Sequence, residues 1–272
     1  SGNEQKQKSR LVVDGLECLA LAQTRDYAAG GNPFEVYETT SNYVWWCGPV
    51  ELNRDLRLYN EYSPTMSKST KRPQGITFEA KISGAGGIRP YAKSGASWGQ
   101  GLTLNLMATD SDFGGGIVLD GSTLAVWNNG AVPAQEGAGL LSVTNGGVRF
   151  CRLPQAAAWP SFAMPDAEFV GSCAVTNGTG RWRSLVKKGE GALDYNSQMG
   201  GGLLDVRDGL VALNVQYRAS YAGDAGFVSA PPAFDAVRLA PGTTLALAGE
   251  DLTVASLSGA GAVTGGGLVV GS

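Results

Sequence analysis

The sequence predicts an all-β fold made of stacked repeats, a β-solenoid, and three observations support this prediction. Glycine supplies 40 of the 272 residues, about twice its usual share of ~7%. Apolar and polar residues alternate over short segments, and glycine-containing motifs recur along the chain. Glycine spread through an apolar chain indicates many tight turns, because it adopts positive φ angles without strain.

Short strands are predicted from about residue 34 onward. Leu102, Leu104 and Leu106 alternate with polar residues, which is the period-two pattern of a β-strand. Similar alternation flanks dipeptides such as Asp120-Gly121 and Asn145-Gly146. These dipeptides suit hairpins and solenoid turns equally, so they leave the direction of strand pairing open.

Residues 1–40 are predicted to form a cap segment, with glycine-rich repeats over 41–272. Within the cap, residues 11–22 have helix-like spacing, since Leu11, Leu16, Leu19 and Ala20 fall near i, i+4 and i+8. A short helix there would cover one end of the stack, where exposed strand edges invite aggregation.

One order of motifs recurs three times: an apolar strand, a Gly-x-Gly turn, a variable insert and a glycine triplet. The turns are Ile82-Ser-Gly-Ala-Gly-Gly-Ile88, Leu185-Val-Lys-Lys-Gly-Glu-Gly-Ala-Leu193 and Leu257-Ser-Gly-Ala-Gly-Ala-Val263. The triplets begin at Gly114, Gly200 and Gly265. Repeats of this kind imply stacked rungs of ~20–25 residues, each burying its apolar face on the next.

The run from Leu185 to Tyr195, followed by Gly200-Gly-Gly-Leu-Leu-Asp-Val206, resembles the autotransporter-associated β-strand repeat. Residues 82–118 and 257–270 look like further copies, whereas residues 1–75 show little of it. The resemblance implies a right-handed parallel β-helix exported to the cell surface, usually as a passenger stalk. The four cysteines depart from that pattern, and the chain stops within a repeat without an outer-membrane barrel, so a longer protein is expected. An antiparallel β-sandwich over 34–180 followed by repeats is the alternative fold.

Composition excludes several functions. The chain has no histidine, which removes Ser-His-Asp and Cys-His nucleophile systems and His-ligated zinc. A net charge of −3 with 17% charged residues argues against a nucleic-acid partner. No apolar run approaches the ~20 residues of a membrane-spanning helix, so no membrane insertion is expected. The basic cluster Arg181, Arg183, Lys187 and Lys188 is predicted to be a solvated face. No cofactor is predicted.

The four cysteines are Cys18, Cys47, Cys151 and Cys173. They contain no CxxC pair, and an even number fits two disulfides in an oxidising compartment. Pairing Cys18 with Cys47 and Cys151 with Cys173 closes the shorter loops. Buried thiols acting as small apolar residues are the alternative.

Two groups of residues are candidate sites. Tyr43 and Trp45 would share one face of a strand and could stack a sugar or a partner, while Trp46 faces the other side; all three could instead cap an apolar end. Asp110 and Asp112 would share a face and could bind calcium, although a solvated turn is an equally simple reading.

The expected function is therefore that of a non-enzymatic, secreted or outer-surface structural or adhesive module, with glycans or other surface proteins as partners. The alternative is a carbohydrate-binding module or a polysaccharide lyase or glycoside hydrolase on a β-helix, which would use Asp and Arg residues and needs no histidine.

Overall fold

The computed structural model describes residues 10–14, 19–22, 43–61, 75–92, 102–153, 159–214, 232–248 and 251–271. Of residues 19–22, 43–45, 59–61 and 91–92 it describes the backbone only. Two compact units divide the chain, Ser1–Gly139 and Leu140–Ser272. The described residues form strands and turns and contain no helix. The predicted boundary at residue 40 lies outside the described residues.

Eleven described strands belong to the first unit. They are β1 (Leu11–Val13), β2 (Leu19–Ala22), β3 (Tyr43–Trp46), β4 (Val50–Leu52), β5 (Leu56–Glu61), β6 (Gly75–Phe78), β7 (Ile82–Ser83), β8 (Ile88–Ala92), β9 (Thr103–Leu106), β10 (Ile117–Asp120) and β11 (Thr123–Val126). All their pairings are parallel, and sequence neighbours do not pair with each other. Three ladders result: β1–β4–β7, β2–β5–β8–β10 and β3–β6–β9–β11.

Twelve described strands belong to the second unit. They are β12 (Leu141–Thr144), β13 (Gly147–Phe150), β14 (Ser161–Met164), β15 (Ala167–Val170), β16 (Cys173–Lys188), β17 (Ala192–Val206), β18 (Leu210–Leu213), β19 (Phe234–Leu239), β20 (Thr244–Leu247), β21 (Leu252–Gly259), β22 (Ala262–Thr264) and β23 (Leu268–Val270). Every pairing is again parallel.

The long strands β16 and β17 each take part in three ladders. The start of β16 pairs with β13, its middle with β14 and its end with β15. A register irregularity between Thr176 and Thr179 separates the first two parts. Asn177 has a φ of 64° at this point, a left-handed conformation that asparagine tolerates better than most residues. The bend therefore directs one continuous strand into successive ladders.

Apolar side chains on the inner faces form the core of each unit. In β10, Ile117 and Leu119 are fully buried while Val118 and Asp120 are exposed, as expected for a strand with one face in the core. In the second unit Leu185, Leu204 and Val237 lie opposite one another on β16, β17 and β19, each with at most 1% of its surface exposed.

Aromatic residues fill part of the second unit's core. The ring of Phe150 lies 4.8 Å from that of Phe162 and 5.8 Å from that of Trp182. Trp182 Nε1 donates a hydrogen bond to the hydroxyl of Tyr195 at 3.0 Å, and that hydroxyl donates to the carbonyl of Met199. Burial raises the pKa of Tyr195. The polar ends of both large side chains are thus satisfied inside the core.

The heptapeptide that begins at Ile82 makes a tight turn after β7. Gly84 has a φ of +104°, and a side chain there would place Cβ 2.4 Å from the carbonyl oxygen of Leu52. Gly86 N donates a hydrogen bond to that oxygen at 2.7 Å. Glycine is required because the conformation is left-handed and the backbone of the turn below is too close for a Cβ atom.

The heptapeptide that begins at Leu257 makes the same turn at the end of β21. Gly259 has a φ of +105° and approaches Leu239 so closely that a Cβ would lie 1.9 Å from its carbonyl oxygen. Gly261 N donates a hydrogen bond to this oxygen at 3.2 Å. Two copies of one sequence motif thus fold into one local geometry, as the repeat analysis predicts.

The structure confirms an all-β fold with a strongly curled parallel sheet, which is compatible with a β-helix. The alternative of an antiparallel β-sandwich is wrong, because all described pairings within the units are parallel. The predicted helix over 11–22 is also wrong where it is described: Leu11–Val13 and Leu19–Ala22 are strands. Val12 is 45% exposed and Val13 fully buried, so burial follows a period of two, and pairing with β4 and β5 fixes the extended backbone.

Candidate functional site

The predicted aromatic residues lie on β3, at the start of the β3–β6–β9–β11 ladder. The register places Trp45 opposite Thr77 and Trp46 opposite Phe78. Trp46 is 5% exposed and Phe78 1%, so Trp46 belongs to the core. The side chains of Tyr43 and Trp45 lie outside the described residues, and their predicted role as a stacking pair stays a prediction.

Polar residues follow Trp45 along the same side of the ladder. Thr77 and Asn105 lie opposite each other on β6 and β9, and both are buried. Asn105 Nδ2 donates to the carbonyl of Ile76 at 3.4 Å, and Trp127 Nε1 donates to Asn105 Oδ1 at 3.2 Å. Both ends of the Asn105 amide are therefore bonded, which fixes its orientation and that of the indole ring.

A thiol and a carboxylate stand next to this network. Cys47 Sγ donates to Glu79 Oε2 at 2.7 Å, and the backbone hydrogen bond from Glu79 N to Trp46 O continues the ladder past β3 and β6. Both side chains are half-buried. We call Cys47, Thr77, Glu79, Asn105 and Trp127 the outer ladder face. It combines carboxylate, hydroxyl, amide and indole groups, the kinds of group that orient a polar ligand.

Sequence reasoning missed four of these five residues as site residues. The outer ladder face is assembled by register, and its members have no fixed spacing: Trp45 lies opposite Thr77, and Thr77 opposite Asn105, at separations of 32 and 28 residues. Only a correct alignment of the turns could have brought them together.

Asp110 and Asp112 are both exposed, while Ser111 between them is buried. Asp112 Oδ2 lies 2.8 Å from Lys81 Nζ. This hydrogen bond, helped by the nearby charge of Asp110, raises the pKa of Lys81, so Lys81 is a weaker proton acceptor than an isolated lysine. One carboxylate of the predicted calcium pair is thus engaged by a cation, and the calcium site stays a prediction.

Other carboxylates also contact cations, mostly from a neighbouring turn of the chain. Asp55 lies 3.1 Å from Arg89 Nε, and Glu168 lies 2.6 Å from Lys188 Nζ. Further pairs are Arg10–Glu51, Arg181–Asp235, Arg183–Asp166, Arg207–Asp205 and Arg238–Asp205. Most of these pairs are exposed, where an ion pair contributes little stability, typically ~0–1 kcal/mol. Their geometry links stacked turns rather than converging on one cleft.

The basic cluster at the end of β16 is only partly a solvated face. Arg181, Arg183 and Lys188 have exposed or half-buried side chains in ion pairs, but Lys187 has no exposed surface. Its Nζ donates to the carbonyls of Lys188 at 2.8 Å and Gly189 at 2.6 Å. Burial lowers the pKa of Lys187. The prediction of a solvated residue is wrong for Lys187, because it has the same parity as buried Leu185 on an inward-facing strand.

The cysteines of the described residues carry thiols. Cys173 Sγ donates to the carbonyls of Val170 and Val143 at 3.2 and 3.5 Å. Burial raises the pKa of Cys151, which keeps it protonated and unreactive. The predicted Cys151–Cys173 disulfide is therefore wrong, and both residues pack as small apolar groups. Cys18 lies outside the described residues, and Cys47 is in the thiol form.

No known protein family, curated protein or solved structure matches this chain. Within the described ranges, no group of three or more Cys, Asp or Glu residues could hold a metal ion. In that same part of the chain there is no helix long and apolar enough to cross a membrane.

Proposed function

We propose that this chain is a non-catalytic structural or adhesive module, a right-handed parallel β-helix that carries loops between its stacked strands. We further propose that it is secreted or displayed on a bacterial cell surface, as its likeness to the autotransporter-associated repeat implies. Glycans or other surface proteins are the proposed partners.

The observation that carries the proposal is the register of the second unit. Leu185, Leu204, Val237 and Leu257 lie opposite one another in four successive strands, although the first two separations are 19 and 33 residues. A ladder that keeps its register while the intervening segments vary in length is what a scaffold for loops requires.

Charge placement supports a scaffold over an enzyme. The carboxylates of Asp55, Glu168 and Asp205 each contact an Arg or Lys, so they are held in their charged form for bridging. The lysine whose pKa is lowered, Lys187, is buried with Nζ bonded to two carbonyls. A proton-abstracting base must reach its substrate, and Lys187 in this position does not.

A panel of soluble polysaccharides tests the non-catalytic part of the proposal. We expect no new reducing ends and no unsaturated products after prolonged incubation with the purified chain. Turnover of any polysaccharide, lost on a conservative substitution of one carboxylate, would contradict it. A crystal structure tests the handedness: a left-handed coil would remove the proposed fold. Labelling of intact source cells with an impermeant reagent tests the location.

A carbohydrate-binding role is the second candidate, and the outer ladder face favours it. Trp127 is held at its Nε1 by Asn105, which leaves the ring half-exposed beside Glu79. An aromatic face with adjacent carboxylate and amide groups suits a sugar ring. Binding on a glycan array that W127A abolishes and W127F retains would support this role. Equal binding by all three proteins would exclude this face as the site.

A further inference from the structure

The last described turn of the second unit leaves core residues exposed. Leu257 continues the column of Leu185, Leu204 and Val237, but it is 40% exposed, whereas the other three are almost completely buried. Among the described residues, positions 256–259 pair only with β19. One edge of this part of β21 and one side of its apolar column are therefore uncovered.

A second core column ends in the same way. Leu193, Val211, Leu245 and Val263 lie opposite one another on β17, β18, β20 and β22. The first three are fully buried, and Val263 is only half-buried. The turn from Leu257 to Val263 thus presents two apolar side chains and a strand edge, the combination that proteins normally cover.

The internal copy of this turn shows what covers it. Above the Ile82–Ile88 turn, Asp112 N donates to the carbonyl of Ile82 at 2.9 Å, and Gly114 N donates to that of Gly84 at 2.8 Å. Gly115 N donates to the carbonyl of Gly86 at 3.0 Å. The covering segment is thus bound mainly through its backbone.

Side chains complete the cover at both ends of the internal turn. Ser111 Oγ accepts a hydrogen bond from Ile82 N at 3.3 Å, and Ile117 lies opposite Ile88. Between them, a Cβ on Gly115 would lie 2.3 Å from the backbone nitrogen of Gly87. The segment that fits the turn therefore needs apolar residues around a glycine triplet that carries no side chains.

We propose that the Leu257–Val263 turn is a docking site for an extended apolar–Gly–Gly–Gly–apolar segment, which adds to it as a parallel strand. The proposal follows from three shared properties of the two turns: the heptapeptide, the φ of the first glycine and the hydrogen bond to the turn below. Shifted onto the second turn, Ser111 would lie above Leu257 and Ile117 above Val263. Strand addition of this kind gains affinity from main-chain hydrogen bonds and specificity from alternate side chains.

A peptide of this chain's own residues 111–118 (Ser-Asp-Phe-Gly-Gly-Gly-Ile-Val) is the probe. With blocked ends and a fluorophore, it is titrated with the full chain and followed by fluorescence anisotropy. We expect saturable binding. The L257D chain is expected to bind at least about tenfold more weakly, because a carboxylate would be desolvated under the peptide. The matched control is L140D, which alters another exposed leucine, 45% exposed, and is expected to bind like the unaltered chain.

A second peptide tests the role of the glycine triplet. The same sequence with the G115V substitution is expected not to bind, because the side chain would collide with the backbone of the turn. Absence of saturable binding by the first peptide to a folded chain would overturn the proposal. Equal binding to the L257D chain, or equal binding of both peptides, would overturn it as well. Self-association of the chain that L257D removes, without peptide binding, would assign the turn to a second copy and overturn the proposed occupant.

Discussion

Replacing Gly84 with alanine tests how closely the turns of the first unit stack. An L-residue in a left-handed conformation such as φ +104° costs roughly 1–2 kcal/mol. The new Cβ would also lie 2.4 Å from the carbonyl oxygen of Leu52, which must move to restore contact. That oxygen accepts the hydrogen bond from Gly86 N, whose loss adds about 1 kcal/mol. With some strain in the displaced backbone, the expected destabilisation is about 3 kcal/mol or more.

Gly137→Ala is the matched control in the same unit. Gly137 also has a positive φ, +80°, but nothing lies within 4 Å of a Cβ built there. G137A should therefore cost only the conformational part, about 1–2 kcal/mol. The difference between the two variants isolates the contact between turns.

Urea unfolding followed by tryptophan fluorescence measures both variants. With a slope of about 2 kcal/mol per molar urea, typical of small proteins, G84A should lower the midpoint by about 1.5 M and G137A by about half as much. Equal midpoints for G84A and G137A would refute the reasoning, because the backbone of Leu52 could then not be in contact with the turn above it.

Three further predictions concern buried charges and thiols. The lowered pKa of Lys187 means that the unfolded chain binds its proton more tightly, so stability rises with pH from the folded pKa up to 10.5; K187M should flatten this rise in unfolding midpoints. D205N should cost about 1–3 kcal/mol because this carboxylate is 4% exposed, whereas D235N, 65% exposed, should cost under ~1 kcal/mol in the same assay. Alkylation of unfolded, unreduced chain should modify Cys151 and Cys173, and an unmodified pair in mass spectra would contradict their thiol form.

The strand content and several core positions could be predicted from the sequence, because one-sided burial gives alternation of two. Ile117 and Leu119 point inward on β10 as their pattern indicates. The pattern gave less information at β9, where the polar residues Thr103 and Asn105 are also buried. Chemistry alternates there while burial does not, since the outer face of that strand is covered.

The pairing partners could not be derived from local patterns. Asp120-Gly121 suits a hairpin, yet β10 and β11 pair with β8 and β9 instead. The dipeptide bends the chain between two ladders, as Gly121 at φ 59° permits. Local sequence specifies the bend, but the partner of each strand is set by residues twenty or thirty positions away.

The N-terminal helix and the solvated Lys187 were mispredicted for a related reason. Leu11 and Val13 lie in register with Val50 and Leu52, and this pairing outweighs a weak helical spacing. Lys187 follows buried Leu185 at a distance of two, which is the signal that was overlooked. The outer ladder face carries no such signal, because irregular insert lengths hide the alignment of its residues.

The uneven spacing of stacked strands has a consequence for how such a protein can change. Ala167, Leu185, Leu204 and Val237 occupy equivalent positions at intervals of 18, 19 and 33 residues. A duplication or deletion in the segment between two equivalent strands leaves every ladder bond above and below it intact. New peptide sequences can therefore be grafted at these junctions, by evolution or by an engineer, without recoding the rest of the gene.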